Sequence, residues 1–305
     1  MNSNLLNEIN RLRKEKNAII LAHYYQNAEI QDLADYVGDS YQLSKVARDT
    51  TASMIIFCGV HFMAETAKIL SPHKQVYLPV KDAGCYMADT ITEAELNEYK
   101  QNHPGYKFIA YVNTSANIKA LSDVCVTSSN ALKVINAYEK EKVLYLPDQN
   151  LAKYANYLKK SNPIDYWHGY CDIHHALTVD DVKKMKEKHP EALVLVHPEA
   201  PLDVVLLSDF AGSTKDILNY VSTNNHSEYI IGTEVGIMHA LEKHNPNKKF
   251  YLLSDNLVCK TMKYTSLQDI YDVLTLNPNG RYEEIVLDKD TIDKAQNALN
   301  EMLKY

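Results

Sequence analysis

The sequence predicts an α/β fold built from three pseudo-threefold-related, three-layer α/β/α domains with parallel sheets. Three observations predict it. Short apolar runs alternate with stretches of helical periodicity along the whole chain. One composite pattern recurs three times, at a spacing that fits a small α/β domain and is too long for a solenoid repeat. The apolar runs number nearer nine or ten than the eight of a single (β/α)8 barrel.

Ahead of the first strand, Leu5, Leu6, Ile9 and Leu12 fall on one face of a helix. That is the pattern of an amphipathic docking helix, whereas a signal peptide needs a continuous apolar core. Strands are expected at AIILAH, SMIIFCGV, QVYLPV, KFIAYV, DVCVTS, KVLYLP, IDYWH, ALVLVHP, YIIGT and KFYLLS. AIILAHYYQ, KFIAYVNTS and ALVLVHPEA align, which sets His23, Tyr111 and His197 in register at separations of 88 and 86 residues. Two positions later come Tyr25, Asn113 and Glu199.

Each copy then starts a helix. GDSYQLSKVA, TSSNALKVIN and GSTKDILNYV bring Ser40, Ser128 or Ser129, and Ser213 or Thr214 to the first turn. Each copy closes with a strand, a loop holding one cysteine, and a helix capped by Thr92 with Glu95, Thr178 with Asp181, or Ser266 with Asp269. Cys85, Cys171 and Cys259 each stand seven residues before their cap. The repeats set domain boundaries at 1–104, 105–190 and 191–276. The tail 277–305 ends in a helix with Ile292, Ala295, Leu299 and Met302 on one face, and is expected to pack back on the first domain.

The formal charge of −7 argues against a nucleic-acid partner, which needs clustered Lys and Arg. No apolar run approaches the ~18–20 residues of a membrane span. A cytoplasmic location is therefore expected, where five cysteines are free, metal-bound or catalytic rather than disulfide-bonded. No Gly-x-Gly occurs, so Gly-rich nucleotide cradles are absent.

Cys58 and Cys125 sit inside apolar strand runs and read as core. The other three occupy one repeat position, in loops that converge if the copies pack around an axis. Three thiolates leave one metal position open, as a Lewis-acid catalyst requires. A [4Fe-4S] cluster with one non-cysteine iron, or a zinc with a bound water, fits that count. Ligands of parallel α/β domains bind at the carboxyl ends of the strands. His23 and Tyr25, Tyr111 and Asn113, and His197 and Glu199 are delivered there and can supply acid, base and orienting hydrogen bonds. Hydroxyls at three helix starts would suit a substrate carrying phosphate or carboxylates.

The stretches ILAHYYQNAEIQDLADYVGDS, GVHFMAETAKIL, CYMAD, YVNTSA, DVCVTSSNA, PDQNLA, LVHPEAP, GST and GTEVGIMH span about residues 15 to 265. Together they resemble the quinolinate synthase family, iron–sulfur enzymes of de novo NAD synthesis. The resemblance implies three pseudo-symmetry-related domains around a central metal site, a [4Fe-4S] cluster held by Cys85, Cys171 and Cys259. It implies condensation of iminoaspartate with dihydroxyacetone phosphate to quinolinate, phosphate and water, with the imine supplied by an aspartate oxidase or dehydrogenase. His23, Tyr25, Tyr111, Asn113, His197 and Glu199 carry over as active-site positions, and Ser40, Ser128 and Thr214 as anion contacts. Three positions depart from the family pattern: Tyr86 replaces a proline in CYMAD, Tyr170 replaces a histidine before Cys171, and TSSNA replaces TSANA. None removes a ligand.

The implied reaction has no net redox change, so an open iron would serve as a Lewis acid. Glu199 is expected to act as general base, with His197 and Tyr25 assisting, while His23, Tyr111 and Asn113 orient intermediates. A zinc lyase or hydrolase using the same thiolates, and a non-catalytic iron–sulfur sensor of a small dianion, are the competing readings.

Overall fold

The computed structural model describes residues 2–159 and 162–305. Runs rich in Ile, Val and Leu, buried on both faces, form parallel strands, because such residues fit a sheet covered by helices on both sides. The first sheet contains β1 (Ala18–His23), β2 (Tyr36–Gly38), β3 (Met54–Cys58) and β4 (Gln75–Leu78). The second contains β5 (Tyr106–Tyr111), β6 (Val124–Val126), β7 (Lys142–Leu146) and β8 (Asp165–Tyr166). The third contains β9 (Leu193–Val196), β10 (Phe210–Ala211), β11 (Glu228–Gly232) and β12 (Lys249–Leu252). Their orders are β2-β1-β3-β4, β6-β5-β7-β8 and β10-β9-β11-β12, one topology used three times.

All ten expected runs form strands. β2 and β10 were not expected: at three and two residues, they are too short to carry a readable period. Their register is nonetheless informative. His23 pairs with Gly38, Tyr111 with Val126, and Val196 with Ala211, so Ser40 and Ser128 stand two residues past the second strand of their units and Thr214 three.

The closing helices do not pack on the sheets that precede them. Tyr99 of Glu93–Asn102 lies against Tyr106, Phe108 and Trp167 of the second unit. Val182 of Val179–Lys188 joins the core of Val194, Val196 and Ile230 in the third. Leu267, Ile270, Val273 and Leu274 of Leu267–Thr275 return to Ile20, Ala22, Met54 and Ile56 of the first, beside the helix Asn2–Glu15. Each unit thus covers the next one's sheet, and the ring closes. A cut at residue 104 keeps Glu93–Asn102 with the unit that precedes it in sequence and parts it from the sheet of the next, on which it packs.

All three closing helices carry the expected capping boxes. Replacing Ser266 by Ala removes the acceptor for the Asp269 amide and should cost about 1 kcal/mol, read as a lower urea midpoint. The tail splits its contacts. A short strand, β13 (Glu283–Glu284), pairs antiparallel with β4, while the helix Lys289–Met302 packs on Ala116–Ala120 and β6 of the second unit and on His61–Leu70 of the first.

Candidate active site

The carboxyl ends of β1, β5 and β9 open into one cavity of about 410 Å³, in the range of small-ligand sites. Every site residue singled out in the sequence lines it. The thiols of Cys85, Cys171 and Cys259 are there, with His23, Tyr25, Tyr111, Asn113, His197 and Glu199, and the hydroxyls of Ser40, Ser128 and Thr214.

The three thiols are free and partly exposed, whereas Cys58 and Cys125 are fully buried within β3 and β6. Each cavity thiol precedes a short helix: Met87–Thr90, Asp172–His175 or Thr261–Lys263. Donors just ahead in the chain favour the thiolate. They are the amides of Ala88 and Met87 for Cys85, those of His174 and Ile173 for Cys171, and the Thr261 hydroxyl with the Met262 amide for Cys259. Burial opposes them and wins: it pushes Cys85 up to about 12, Cys171 well above the ordinary thiol value, and Cys259 upward. A cation bound among these sulfurs would favour their ionised form.

His23 and His197 sit at matching strand ends and share one local bond. The Tyr25 amide donates to His23 Nδ1 at 3.2 Å, and the Glu199 amide to His197 Nδ1 at 3.3 Å. An accepting Nδ1 leaves the proton of a neutral ring on Nε2, which for His197 faces Ser128 Oγ at 3.2 Å. Burial, reinforced by His197 and Lys263, takes His23 down to about 3. Burial takes His197 to about 4, with Glu199 opposing and His174 assisting.

A continuous hydrogen-bonded path crosses the floor. Tyr111 donates to Glu199 Oε1 at 2.6 Å, and Glu199 Oε2 lies 2.8 Å from His174 Nδ1. Burial would raise the Glu199 carboxyl, but His197, His174 and Tyr111 overcome it and hold the group at about 2. An anionic Glu199 accepts the Nδ1 proton of His174, so His174 Nε2 accepts from Thr233 Oγ1 at 2.8 Å. Thr233 in turn accepts from the Tyr25 hydroxyl at 2.6 Å, and Thr214 Oγ1 lies 2.8 Å from the same hydroxyl. Burial keeps Tyr25 and Tyr111 protonated, as donors.

Cys171, His174 and Glu199 also bring one ligand atom each within 4.8 Å of one another, close enough to hold a single ion. Both ring nitrogens of His174 are already hydrogen-bonded, which favours a relay over a mononuclear site. His174 and Thr233 escaped the sequence reading; the signal for the first was its Cys-x-x-His spacing from Cys171.

One expected detail is corrected. Ser40 and Thr214 open the helices Ser40–Asp49 and Thr214–Thr223, but Ser128 lies in a turn before Ala131–Ala137. Asn130 Oδ1 takes the Thr127 amide at 2.8 Å and Asn130 adopts φ −126°, which delays the helix. The two departing tyrosines meet beside the thiols: Tyr86 and Tyr170 have ring centroids 5.7 Å apart, and Tyr170 lies 4.4 Å from His175.

In the metal-free protein these groups set an acid limit. His23 and His197 titrate lower when folded than when unfolded, so the unfolded chain binds more protons. Stability should then fall as pH drops from about 6.5 towards 4, and Glu199 extends the loss below its ordinary 4.5. His197→Asn should flatten the first part of that slope, measured as urea midpoints from about pH 7 to 4.

Three parallel sheets that aim thiols, imidazoles and a carboxylate at one cavity define an α/β enzyme with a donor-rich centre. Residues 7–304 match the family described as "NadA: Quinolinate synthetase A protein". The chain is 46% identical over 300 residues to the quinolinate synthase of Caldicellulosiruptor bescii, covering 98% of each chain. It is 48% identical over 302 residues to that of Alkaliphilus metalliredigens, covering 99% of this chain and 98% of the relative. It is 50% identical over 299 residues to that of Clostridium kluyveri, covering 98% and 97%. The chain belongs to the quinolinate synthase family. No helix among the described residues is long and apolar enough to cross a membrane.

Proposed function

We propose that this protein condenses iminoaspartate with dihydroxyacetone phosphate to quinolinate, phosphate and water, as a cytoplasmic step of NAD biosynthesis. The observation that carries the reading is the convergence of three repeat-related free thiols with His23, Tyr25, Tyr111, His197 and Glu199 in one cavity. The unstable imine would come from an aspartate-oxidising enzyme.

A [4Fe-4S] cluster held by Cys85, Cys171 and Cys259 fits the donor set. The thiols are unpaired, and each has donors that favour its thiolate. A cation there would offset the burial that keeps the sulfurs protonated. When bound, such a group supplies a Lewis acid through its open position.

The chain's own residues supply proton handling and orientation. Both oxygens of Glu199 are already engaged, Oε1 by the Tyr111 hydroxyl and Oε2 by His174. Glu199 serves better as the anionic end of the relay, fixing the His174 tautomer so that Nε2 can draw the Tyr25 proton through Thr233. Tyr25 would then exchange protons with substrate. Tyr111 keeps Glu199 anionic. His23 and His197 stay neutral at physiological pH and orient substrate by hydrogen bonds, with Asn113 beside them. Ser40, Ser128 and Thr214 hold its phosphate or carboxylates.

The test is turnover by protein purified without oxygen, followed as quinolinate formed and phosphate released, alongside iron, zinc and acid-labile sulfide per chain. Phosphate release with one cubane's iron and sulfide is expected. Stoichiometric zinc without sulfide would point to a mononuclear enzyme. Substrate binding without phosphate release would point to a sensor.

A further inference from the structure

The three cysteine loops are stitched to their sheets by one repeated bond. The amides of His61, Gln149 and Val235 donate to the carbonyls of Ala83, Gly169 and Leu257, each at 2.8 Å and each two residues before a cysteine. The residue before each donor differs among the copies: Val60, Asp148 and Glu234. Val60 is apolar and packs in the core. Asp148 faces the Cys171 amide and accepts from the Leu151 amide at 2.6 Å.

Glu234 does more. Its side chain is 1% exposed, and a carboxylate that deep persists only when fully paired. Oε1 accepts from the Cys259 amide at 3.1 Å and Oε2 from the Gly236 amide at 2.6 Å. Lys263 Nζ lies 3.0 Å from Oε1 and also donates to the Tyr25 carbonyl. Gly236 itself abuts the Tyr25 loop, where an added Cβ would stand 2.7 Å from the Tyr25 backbone. One carboxylate therefore holds the third cysteine's backbone and, through a lysine, the loop that carries Tyr25.

We propose that Glu234 is a positioning residue that sets Cys259 at the metal centre and, through Lys263, fixes Tyr25 relative to it. Asp148 does the first part of that task for Cys171, and the Cys85 loop has no counterpart. The inference rests on the reading of the three thiols as ligands. Glutamine at 234 keeps the size but has one acceptor oxygen, so it cannot satisfy both amides and the lysine together.

The experiment compares Glu234→Gln and Lys263→Met with Asp209→Ala. Asp209 accepts the Val194 amide at 2.8 Å towards the opposite end of the same sheet, and so reports a purely structural loss. Protein purified without oxygen is mixed with a ferrous chelator, and iron release is timed. Glu234→Gln should release iron roughly tenfold faster than the wild type, the size expected for a lost outer-shell bond. Lys263→Met should retain iron at near the wild-type rate but lose kcat with KM little changed. Asp209→Ala should lower the melting temperature of the metal-free protein without hastening release. Equal acceleration by Asp209→Ala, or wild-type release from Glu234→Gln, would overturn the proposal. If Glu234→Gln does not fold, an unchanged kcat in Lys263→Met overturns the coupling to Tyr25. Wild-type protein that holds no iron would instead remove the ligand reading, and this proposal with it.

Discussion

Serine in place of Cys85, Cys171 or Cys259 is expected to leave a folded protein that holds little iron and forms no quinolinate. A serine hydroxyl does not ionise near neutral pH, and the donors that favour each thiolate cannot make it do so. The loss should be close to complete for each single change, because three ligands already leave one position open. Cys58→Ser and Cys125→Ser supply the contrast. Both side chains are fully buried in strands, so a hydroxyl there costs about 1–3 kcal/mol of stability while the metal content stays intact. Iron, sulfide and visible absorbance per chain, set beside urea midpoints, separate the two groups. Retained iron in all three cavity variants would refute the ligand assignment. Loss in Cys171→Ser alone would favour an ion held by Cys171, His174 and Glu199.

Much of the fold was legible because parallel strands deliver their last residues to a common edge. Once His23, Tyr111 and His197 were set in register, their convergence followed from topology. The cysteines were legible for the same reason: one loop, used three times. The exchange of closing helices between neighbouring units was not. The apolar faces of Glu93–Asn102, Val179–Lys188 and Leu267–Thr275 show that each is covered, but a face does not name the sheet that covers it.

The missed chemistry lies where the repeat breaks. Three residues after each cysteine stand Ala88, His174 and Met262, and two after each third strand stand Val60, Asp148 and Glu234. A search for recurrence passes over residues that occur in only one or two copies. Yet a pseudo-symmetric cavity can bind an asymmetric substrate productively only through such differences. His174 is one of these, and the relay runs through it.

Glutamine in place of Glu199 should cut kcat by at least about a hundredfold while leaving the iron and the visible spectrum as in the wild type. The size and the selectivity have one physical origin. Glu199 accepts from both Tyr111 and His174, and its charge keeps the His174 proton on Nδ1. With Tyr111 donating to the single oxygen of glutamine, the amide nitrogen faces His174 and presents a donor. The imidazole then places its proton on Nε2 and donates towards Thr233, so the path no longer accepts a proton from Tyr25. Only polarity changes, and no thiol is touched, so the metal centre should persist. Tyr25→Phe should share the kinetic loss, and the double variant should lose little more than either single one, as expected for groups acting as a unit. Additive losses would mean that Glu199 and Tyr25 act separately. Wild-type turnover by Glu199→Gln would remove Glu199 from proton handling altogether, and with it the case that His174 links it to Tyr25.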